Sequence, residues 1–323
     1  MPNDAMPYGY RILGPCNRER RLVDYDQAFA AYAGCDDLAR IEREGFLSPF
    51  QYDAAIRSRI VDARQSLNVT DYPGRCWSRY LWFDIDRDGD IELATADTRK
   101  LAMSLVERYR VDESELLVFF SGSKGYHIGL PTSLMNCEPS PTFNQAARRL
   151  AEGLAGSVGV AIDPVVYSKV QPLRAPNSRH GKTGRHKRIV AVDELLHIKP
   201  SAIEAKSADP LPFELPTEPA VCERAMSDWS AACDLVSKQA EAAPRRDSDR
   251  TELNCSTLEF IRDGADEGDR HRLLYSAAAN LAELGCSARL AHALLTESAL
   301  DSGLSPTDTR RAIDNGLNKG GAA

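Results

Sequence analysis

The segment LWFDIDRDGDIEL, residues 81–93, carries an acidic residue at every second position from 84 to 92. On a β-strand, alternate side chains point to the same face, so Asp84 and Asp86 would lie together, roughly 6.5–7 Å apart. Two carboxylates at that spacing can converge on a metal ion. The spacing therefore predicts either a metal-binding pair or a strand end with solvated aspartates. In both cases, Asp88-Gly89-Asp90 is expected to form a hairpin turn.

A calcium-binding loop is a further interpretation of the same segment. An EF-hand loop needs oxygen ligands at positions 1, 3 and 5, a glycine at 6 and a bidentate glutamate at 12. The aspartates and Gly89 meet the first requirements, but position 12 is Thr95. The aromatic run that precedes Asp84 is also typical of a strand, whereas an EF-hand loop follows a helix. The calcium interpretation is therefore disfavoured.

A second group of polar residues lies in SGSKGYHIGLP, residues 121–131. Its turn consists of Ser121, Gly122, Ser123, Lys124 and Gly125. Glycines let backbone N–H groups face an anion, and serine and lysine add donors and charge, so the turn can bind phosphate. His127 follows the turn, where it can bond a phosphate or a sugar. The alternative is an ordinary hairpin turn with a surface lysine and a structural histidine.

The third group lies in IDPVVYSKVQPLRAPNSRHGKTGRHKR, residues 162–188. Asp163 ends an apolar stretch, as Asp84 does. Polar and basic side chains follow at Arg174, Ser178, Arg179, His180, Lys182 and Arg185. Such donors suit triphosphate oxygens or a nucleic-acid backbone. The alternative is a solvated basic loop.

Overall charge and composition restrict the class of protein. The net charge is −7 and the pI is about 5.5, which argues against a polybasic coat for nucleic acid. The eight cysteines are scattered without CxxC spacing, which favours a reducing cytoplasm and leaves open only a zinc site built from distant ligands. With no apolar run of membrane-spanning length and no secretory signal, we expect a cytoplasmic protein without a membrane partner.

Hydrophobic patterning indicates an α+β domain that ends near residue 215. RYLWFDID (79–86) predicts a strand, and 97–110 predicts a helix. The runs at 116–122 and 126–131 predict a hairpin, and 142–156 predicts another helix. VAIDPVVYS and RHKRIVAVD are expected to form two more strands.

The remainder of the chain has a different pattern. Proline and charge clusters indicate a linker over 216–250, with one possible helix at 220–242. Residues 251–323 show only helical periodicity and predict a small all-α bundle. Its last helix is expected to have Ser305 as N-cap and Pro306 at its first position.

The three polar motifs, in this order, resemble those of the archaeo-eukaryotic primase superfamily, which includes primase-polymerases. The motifs are FDID (83–86), SGSKGYH (121–127) and IDPVVYSKVQPLRAPNSRHGKTG (162–184). The resemblance covers roughly residues 70–195 and is extended by inference over 1–215. It implies a primase-type catalytic domain of mixed sheets with flanking helices.

The resemblance also implies roles for individual residues. Asp84, Asp86 and Asp163 match the family's catalytic, metal-binding carboxylates, which hold two Mg²⁺ or Mn²⁺ ions. The nucleotide-binding positions are Ser121, Gly122, Ser123, Lys124, Gly125, His127, Arg174, Ser178 and His180. The implied partners are a single-stranded DNA template and NTP or dNTP substrates.

The C-terminal bundle, residues 267–317 in particular, resembles the helical domain that follows the catalytic domain in phage and plasmid primases. Such a domain implies a role in primer initiation and coupling to a helicase. The chain has no GxxxxGK[ST] sequence, so the helicase is expected to be a separate protein. Two alternatives remain: a repair polymerase of the end-joining type in the same superfamily, and a non-catalytic nucleic-acid-binding module for replication initiation.

Overall fold

Contacts divide the chain into two units, Met1–Ala240 and Glu241–Ala323. The computed structural model describes residues 5–242 and 252–320. The first unit mixes helices and antiparallel strands, and the second is built from helices, so the predicted succession of an α+β region and an α region is confirmed. The charged cluster at 243–250, which the sequence assigns to the linker, lies outside the described residues.

The strands described in the first unit are short. They are β1 (Tyr8–Leu13), β2 (Arg21–Asp24), β3 (Gly45–Leu47), β4 (Gln51–Tyr52), β5 (Cys76–Trp77), β6 (Tyr80–Asp86), β7 (Leu117–Phe120), β8 (Gly125–Pro131), β9 (Leu173–Arg174) and β10 (Arg188–Ile189). The helices of this unit are α1 (Tyr25–Ala33), α2 (Ile91–Tyr109), α3 (Phe143–Ser157), α4 (Val192–His197), α5 (Pro200–Lys206) and α6 (Glu223–Ala242).

The strands form two antiparallel sheets. The first has the order β5-β4-β1-β3-β9, with β2 also paired to β1, and the second has the order β10-β7-β8-β6. Consecutive strands β9 and β10 therefore belong to different sheets. The segment between them, residues 175–187, joins the two sheets and carries most of the third polar motif.

The second sheet supplies the buried framework of the site. Strands β7 and β8 pair antiparallel, which confirms the predicted hairpin. The aromatic side chains of Trp82 and Phe83 in β6 and of Phe119 and Phe120 in β7 are buried. Along β6, by contrast, Asp84 and Asp86 keep partial access to solvent. The strand predicted for 79–86 is thus confirmed, and it presents both carboxylates at one edge of a dry core.

The segment after β6 differs from the prediction. Asp88-Gly89-Asp90 does not form a hairpin turn, and α2 begins at Ile91, earlier than the expected residue 97. The cause is Asp90, whose side chain accepts a 2.8 Å hydrogen bond from the Leu93 N–H and so caps the helix. Because Asp84 lies in a strand, the segment is not an EF-hand loop.

The third motif also departs from the expected strands. VAIDPVVYS contains a 3-10 helix, Pro164–Tyr167, in place of a strand. Proline lacks a backbone N–H and has a fixed φ that suits the first helical position. The Asp163 side chain accepts a 2.9 Å hydrogen bond from the Val165 N–H and caps the turn. Within RHKRIVAVD, only Arg188–Ile189 is a strand.

Helix α6 packs against the other helices of the first unit. The ring of Trp229 lies 4.9 Å from that of Phe143 on α3. Asp228 accepts two 2.8 Å hydrogen bonds from the Arg108 guanidinium. The apolar side of this helix is therefore covered by α3 and its polar side is fixed to α2.

The second unit contains α7 (Cys255–Asp263), α8 (Arg270–Glu283), α9 (Ala288–Asp301) and α10 (Pro306–Gly320). Its core includes Phe260, Leu274, Leu295 and Ile313. Helices α8 and α10 pack closely at Gly316. A Cβ added at this position would lie only 2.6 Å from the Tyr275 carbonyl oxygen. In the parts of the chain that the structure describes, no helix is long and apolar enough to span a membrane.

Candidate active site

Asp84 and Asp86 lie on the same side of β6, as the alternation of a strand requires. The neighbouring strand β8 places His127 opposite Asp84 and Gly125 opposite Asp86. The Nε2 atom of His127 lies 3.4 Å from Oδ1 of Asp84. The first and second polar motifs thus meet side by side in one sheet.

Asp163 reaches the same place from a distant part of the sequence. Its backbone N–H donates a 2.9 Å hydrogen bond to the carbonyl oxygen of Asp84. Its carboxylate is exposed and raises the pKa of both Asp84 and Asp86 by electrostatic repulsion. The three carboxylates that the sequence singles out are therefore near enough to interact.

Burial makes this acidic group unfavourable on its own. The pKa of Asp84 is raised to about 7, first by burial and then by the charges of Asp86 and Asp163. One oxygen of Asp84, Oδ1, is buried and has no hydrogen-bond partner among the described residues. A buried carboxylate oxygen without a donor is costly, so the site favours a cation or a proton there.

The contact between His127 and Asp84 is not an ion pair. Burial lowers the pKa of His127 well below its ordinary value, and the charges of Lys187 and Arg174 lower it further. The imidazole is therefore neutral near pH 7. Its Nδ1 atom is buried and has no hydrogen-bond partner among the residues described. A neutral histidine with an unused nitrogen can bond a ligand without adding charge.

The Ser121–Gly125 turn depends on its glycines. A Cβ on Gly125 would lie 2.1 Å from the Ile85 carbonyl oxygen, so β8 can approach β6 only with glycine here. Gly122 has a φ of +86°, a conformation that suits glycine. The Ser121 N–H donates to the Gly125 carbonyl oxygen at 2.9 Å and closes the turn.

The tip of this turn carries Ser123 and Lys124. The Lys124 ammonium lies 3.3 Å from Asp86 and 2.8 Å from Asp88. It lowers the pKa of Asp88 and partly offsets the burial that raises the pKa of Asp86. In this arrangement the lysine neutralises carboxylates that a divalent cation would also neutralise.

The third motif is tied directly to the second. The Thr183 hydroxyl donates a 2.6 Å hydrogen bond to the Gly122 carbonyl oxygen. The carbonyl oxygens of Arg185 and His186 also lie 3.3 Å from the position that a Cβ on Gly122 would take. Segment 175–187 therefore lies against the 121–125 turn.

Arg174 lies at the end of β9 and is largely buried. Its guanidinium lies 4.7 Å from the centre of the Phe46 ring and 3.4 Å from the Glu44 carboxylate. Its charge lowers the pKa of both His127 and His180. Glu44 and Phe46 thus hold the arginine where its charge acts on both histidines.

Ser178 and His180 take different positions. Ser178 is fully buried, and its hydroxyl donates to the backbone oxygens of Gly45 and Ala175 at 3.0 and 2.8 Å. His180 accepts hydrogen bonds at Nδ1 from the N–H groups of Lys182 and Thr183. Burial lowers the pKa of His180, so the ring is neutral and its Nε2–H is a donor.

Sequence reasoning did not single out Lys187. This residue is only 1% exposed, its ammonium lies 4.7 Å from the centre of the Phe119 ring, and it donates to the Arg174 carbonyl oxygen at 2.8 Å. Its charge lowers the pKa of Asp84, and Asp84 in turn opposes the strong lowering of the Lys187 pKa by burial. The available signal was its position in the basic run RHKR, residues 185–188, directly before the apolar residues IVAV.

The acidic group fits a divalent cation in its chemistry, since oxygen ligands suit Mg²⁺ and Mn²⁺. The negative charge of the group and the Asp84 oxygen that lacks a hydrogen-bond partner both favour a bound cation. The side chains do not converge: in residues 5–242 and 252–320, no group of three or more His, Cys, Asp or Glu is close enough to hold a metal ion. Asp163 caps its own 3-10 helix and Lys124 occupies the space beside Asp86, so ligation requires both to turn.

No protein-family model and no curated protein matches this chain. Two solved structures are similar at a distant level. The polymerase domain of Mycobacterium tuberculosis Ligase D in complex with DNA shares 16% identity, with 65% of this chain and 85% of that chain covered and a TM-score of 0.35. The primase RepB′ shares 12% identity, with 99% and 95% covered and a TM-score of 0.35. Similarities of this size do not establish the activity of the chain.

Proposed function

We propose that this protein is a template-dependent nucleotidyltransferase, a DNA primase or primase-polymerase that makes or extends primers on single-stranded DNA. One observation carries the proposal. Asp84 and Asp86 share one face of β6 beside a neutral His127. The charges of Lys187 and Lys124 act on Asp84, and the charge of Arg174 acts on His127. Acidic and cationic groups of this kind suit the two halves of phosphoryl transfer, which are metal binding and triphosphate binding.

Phosphoryl transfer requires little covalent participation by the protein. It needs an in-line arrangement and neutralisation of the developing charge. Two Mg²⁺ or Mn²⁺ ions bound by Asp84, Asp86 and Asp163 would activate the 3′-hydroxyl and stabilise the leaving pyrophosphate. The raised pKa of Asp84 indicates how strongly this position favours added positive charge.

The other side chains have binding roles in this proposal. If a divalent cation were held at Asp86, Lys124 would be free to pair with a phosphate. The N–H groups at the tip of the 121–125 turn, which do not close the turn, could bind the same anion. Arg174 and the Nε2–H of His180 contact the triphosphate from the opposite segment. Neutral His127 bonds the nucleotide without repelling the ions. Ser178, whose hydroxyl faces the backbone, shapes the segment.

The proposed division of labour follows the sequence. Residues 1–215 form the catalytic domain, 216–250 a linker whose helix α6 packs against that domain, and 251–323 a helical primase domain that assists initiation. The template is single-stranded DNA and the substrates are NTPs or dNTPs. Because the chain has no GxxxxGK[ST] motif, duplex unwinding is assigned to a separate helicase.

The test is synthesis on unprimed single-stranded DNA with labelled NTPs or dNTPs and Mg²⁺ or Mn²⁺. Wild type should make short products, and Asp84→Ala should make none. Asp88→Ala is the matched control, because this carboxylate lies in the same segment but is 88% exposed; it should retain activity. Extension of a supplied primer without initiation would favour the repair polymerase. Absence of incorporation in both formats would contradict the proposal and favour a non-catalytic binding module.

A further inference from the structure

A cleft in the first unit is lined by arginine side chains. Its volume is about 590 Å³, and we name it the arginine cleft after Arg11, Arg18, Arg21, Arg40, Arg43 and Arg64. These residues come from β1, the β1–β2 connection, β2, the segment before β3, and the turn at 62–66. Glu19 is the single acidic residue of the lining.

The charge of this cleft is poorly neutralised within the protein. Arg11 and Arg21 are direct cross-strand partners of β1 and β2, an arrangement of like charges that destabilises a sheet. Of the six arginines, Arg21 has a carboxylate within ion-pair distance, Glu19 at 3.7 Å; the other five have none among the described residues. Six cations and one anion leave five positive charges in a protein whose net charge is −7.

The backbone that carries these arginines is fixed by hydrogen bonds. The Gly14 N–H donates to the Glu44 carbonyl oxygen at 2.8 Å, which holds the β1–β2 connection. The Asp62 side chain accepts from the N–H groups of Arg64 and Ser66, both at 2.9 Å. The Arg11 guanidinium donates to the Leu38 carbonyl oxygen at 3.0 Å. The repulsion is therefore maintained by the fold.

Segment 41–44, which contributes Arg43 to the arginine cleft, is hydrogen-bonded to segment 175–187 of the candidate active site. The Arg179 N–H donates to the carbonyl oxygens of Ile41 and Arg43 at 2.9 and 3.2 Å. The Glu44 carboxylate accepts from the Gly181 N–H at 3.1 Å and pairs with Arg174 at 3.4 Å. A chain of phosphates that begins beside Arg174 can thus continue onto Arg43 and Arg40.

We propose that the arginine cleft binds the phosphate backbone of a single nucleic-acid strand that leads to the candidate active site. The planar guanidinium matches phosphate with paired hydrogen bonds, and all the cations here are arginine. None of the described residues that line the cleft is aromatic, so the bases have no stacking platform. Recognition should therefore be independent of sequence and strongly dependent on salt. The identity of the strand as primer or template rests on the proposed function; the binding itself does not.

The experiment measures binding without nucleotide, so that synthesis is not needed. The probe is a fluorescein-labelled oligothymidylate of about 20 nucleotides, longer than the usual site of one single-strand-binding domain. Affinity is followed by anisotropy between about 50 and 200 mM salt, the range over which such contacts weaken steeply. The cleft variant is Arg18→Gln/Arg64→Gln, and the matched control is Arg224→Gln/Arg289→Gln. All four positions are exposed, and thermal unfolding checks that both variants remain folded.

The cleft variant should lose on the order of tenfold in affinity per arginine at low salt, and its salt slope should fall by about 0.7 per lost contact. The control variant should bind the oligothymidylate as tightly as the wild type does. The wild type should also bind an abasic strand of equal length with the same affinity. Equal losses in both variants would overturn the proposal. The proposal would also be overturned if the cleft variant lost affinity for inorganic tripolyphosphate but kept its affinity for the oligothymidylate. The cleft would then be a site for free polyphosphate.

Parallel synthesis assays separate the two proposals. Strand binding that depends on the cleft arginines, in a protein that incorporates no nucleotide, would refute the nucleotidyltransferase and leave the arginine cleft as a nucleic-acid site. If the cleft variant shows normal synthesis and unchanged strand binding, the proposed role of the arginine cleft is refuted and the proposed nucleotidyltransferase activity stands.

Discussion

The backbone N–H of Asp163 donates to the carbonyl oxygen of Asp84 at 2.9 Å, although the two residues are separated by two helices and two strands of the chain. This hydrogen bond joins the third carboxylate to the strand that carries the first two. Because it involves only backbone atoms, substitution of either side chain leaves the connection intact. Variants at these positions therefore report on charge and ligation more than on folding.

We expect Asp84→Asn to stabilise the metal-free protein more at pH 8 than at pH 5. With its pKa raised to about 7, Asp84 holds a proton in the folded state between about pH 4 and 7 that the unfolded chain has released. Its contribution to stability is fully present below about pH 4 and is lost progressively until the pH has risen through 7. Asparagine removes this loss, which amounts to a few kcal/mol at about 1.4 kcal/mol per pKa unit.

Thermal unfolding in a chelator at both pH values measures this difference. Asp88→Asn is the control, because Lys124 lowers the pKa of that exposed carboxylate and the small effect has the opposite sign. A gain from Asp84→Asn that is equal at both pH values would show that Asp84 does not titrate in this range.

Gly125→Ala should destabilise the first unit by about 1–3 kcal/mol, the usual cost of forcing extra volume into a packed site. The added Cβ would lie 2.1 Å from the Ile85 carbonyl oxygen and push β8 away from β6. Gly153→Ala in α3 is the matched change, since nothing lies within 4 Å of its Cβ position. That variant should gain about 0.5–1 kcal/mol from helix propensity. Urea titration of both proteins would reveal whether the signs differ.

Lys187→Met should destabilise the protein by about 1–3 kcal/mol, because it leaves the Arg174 carbonyl oxygen without its donor and Asp84 without a compensating cation. The same change removes a cation that interacts with Asp84, so nucleotide affinity should fall by roughly tenfold, equivalent to about 1.4 kcal/mol. Lys182→Met, at an exposed position of the same segment, should change neither quantity. A nucleotide KM that is unchanged in Lys187→Met would assign the lysine a purely structural role.

Removal of residues 251–323 should reduce initiation on unprimed DNA more than extension of a supplied primer. The two units have separate hydrophobic cores, so the first unit keeps its own packing when the second is removed. Initiation and extension are compared with the same template, and circular dichroism confirms that the shortened protein is folded. Equal losses in the two reactions would mean that the helical unit has no specific part in initiation.

Elements with a strong local pattern could be predicted. Strand β6, the hairpin of β7 and β8, and the helical region after residue 251 follow from apolar runs and periodicity. The 3-10 helix after Asp163 was missed because an apolar run was given more weight than the proline that begins it. Helix α2 was expected too late because Asp90 was assigned to a turn, although an aspartate before an apolar run also caps helices.

Prediction of the site was limited by distance along the chain. The pairing of Asp84 with His127 follows from strand neighbours, but its register could not be read from the sequence. Glu44, which holds Arg174, belongs to no motif. The arginine cleft combines residues from 11 to 64 that are unremarkable one at a time and meet only through sheet pairing.

Segment 175–187 has a consequence for the order in which the protein folds. At its two ends, β9 and β10 are two-residue strands that pair with β3 and β7, which lie far away in the sequence. Such pairings close large loops for few hydrogen bonds, so they form slowly and late. In refolding, far-UV circular dichroism should recover before nucleotide binding does. The chain would then pass through a state with native helices and hairpins in which segment 175–187 has not yet been put in place.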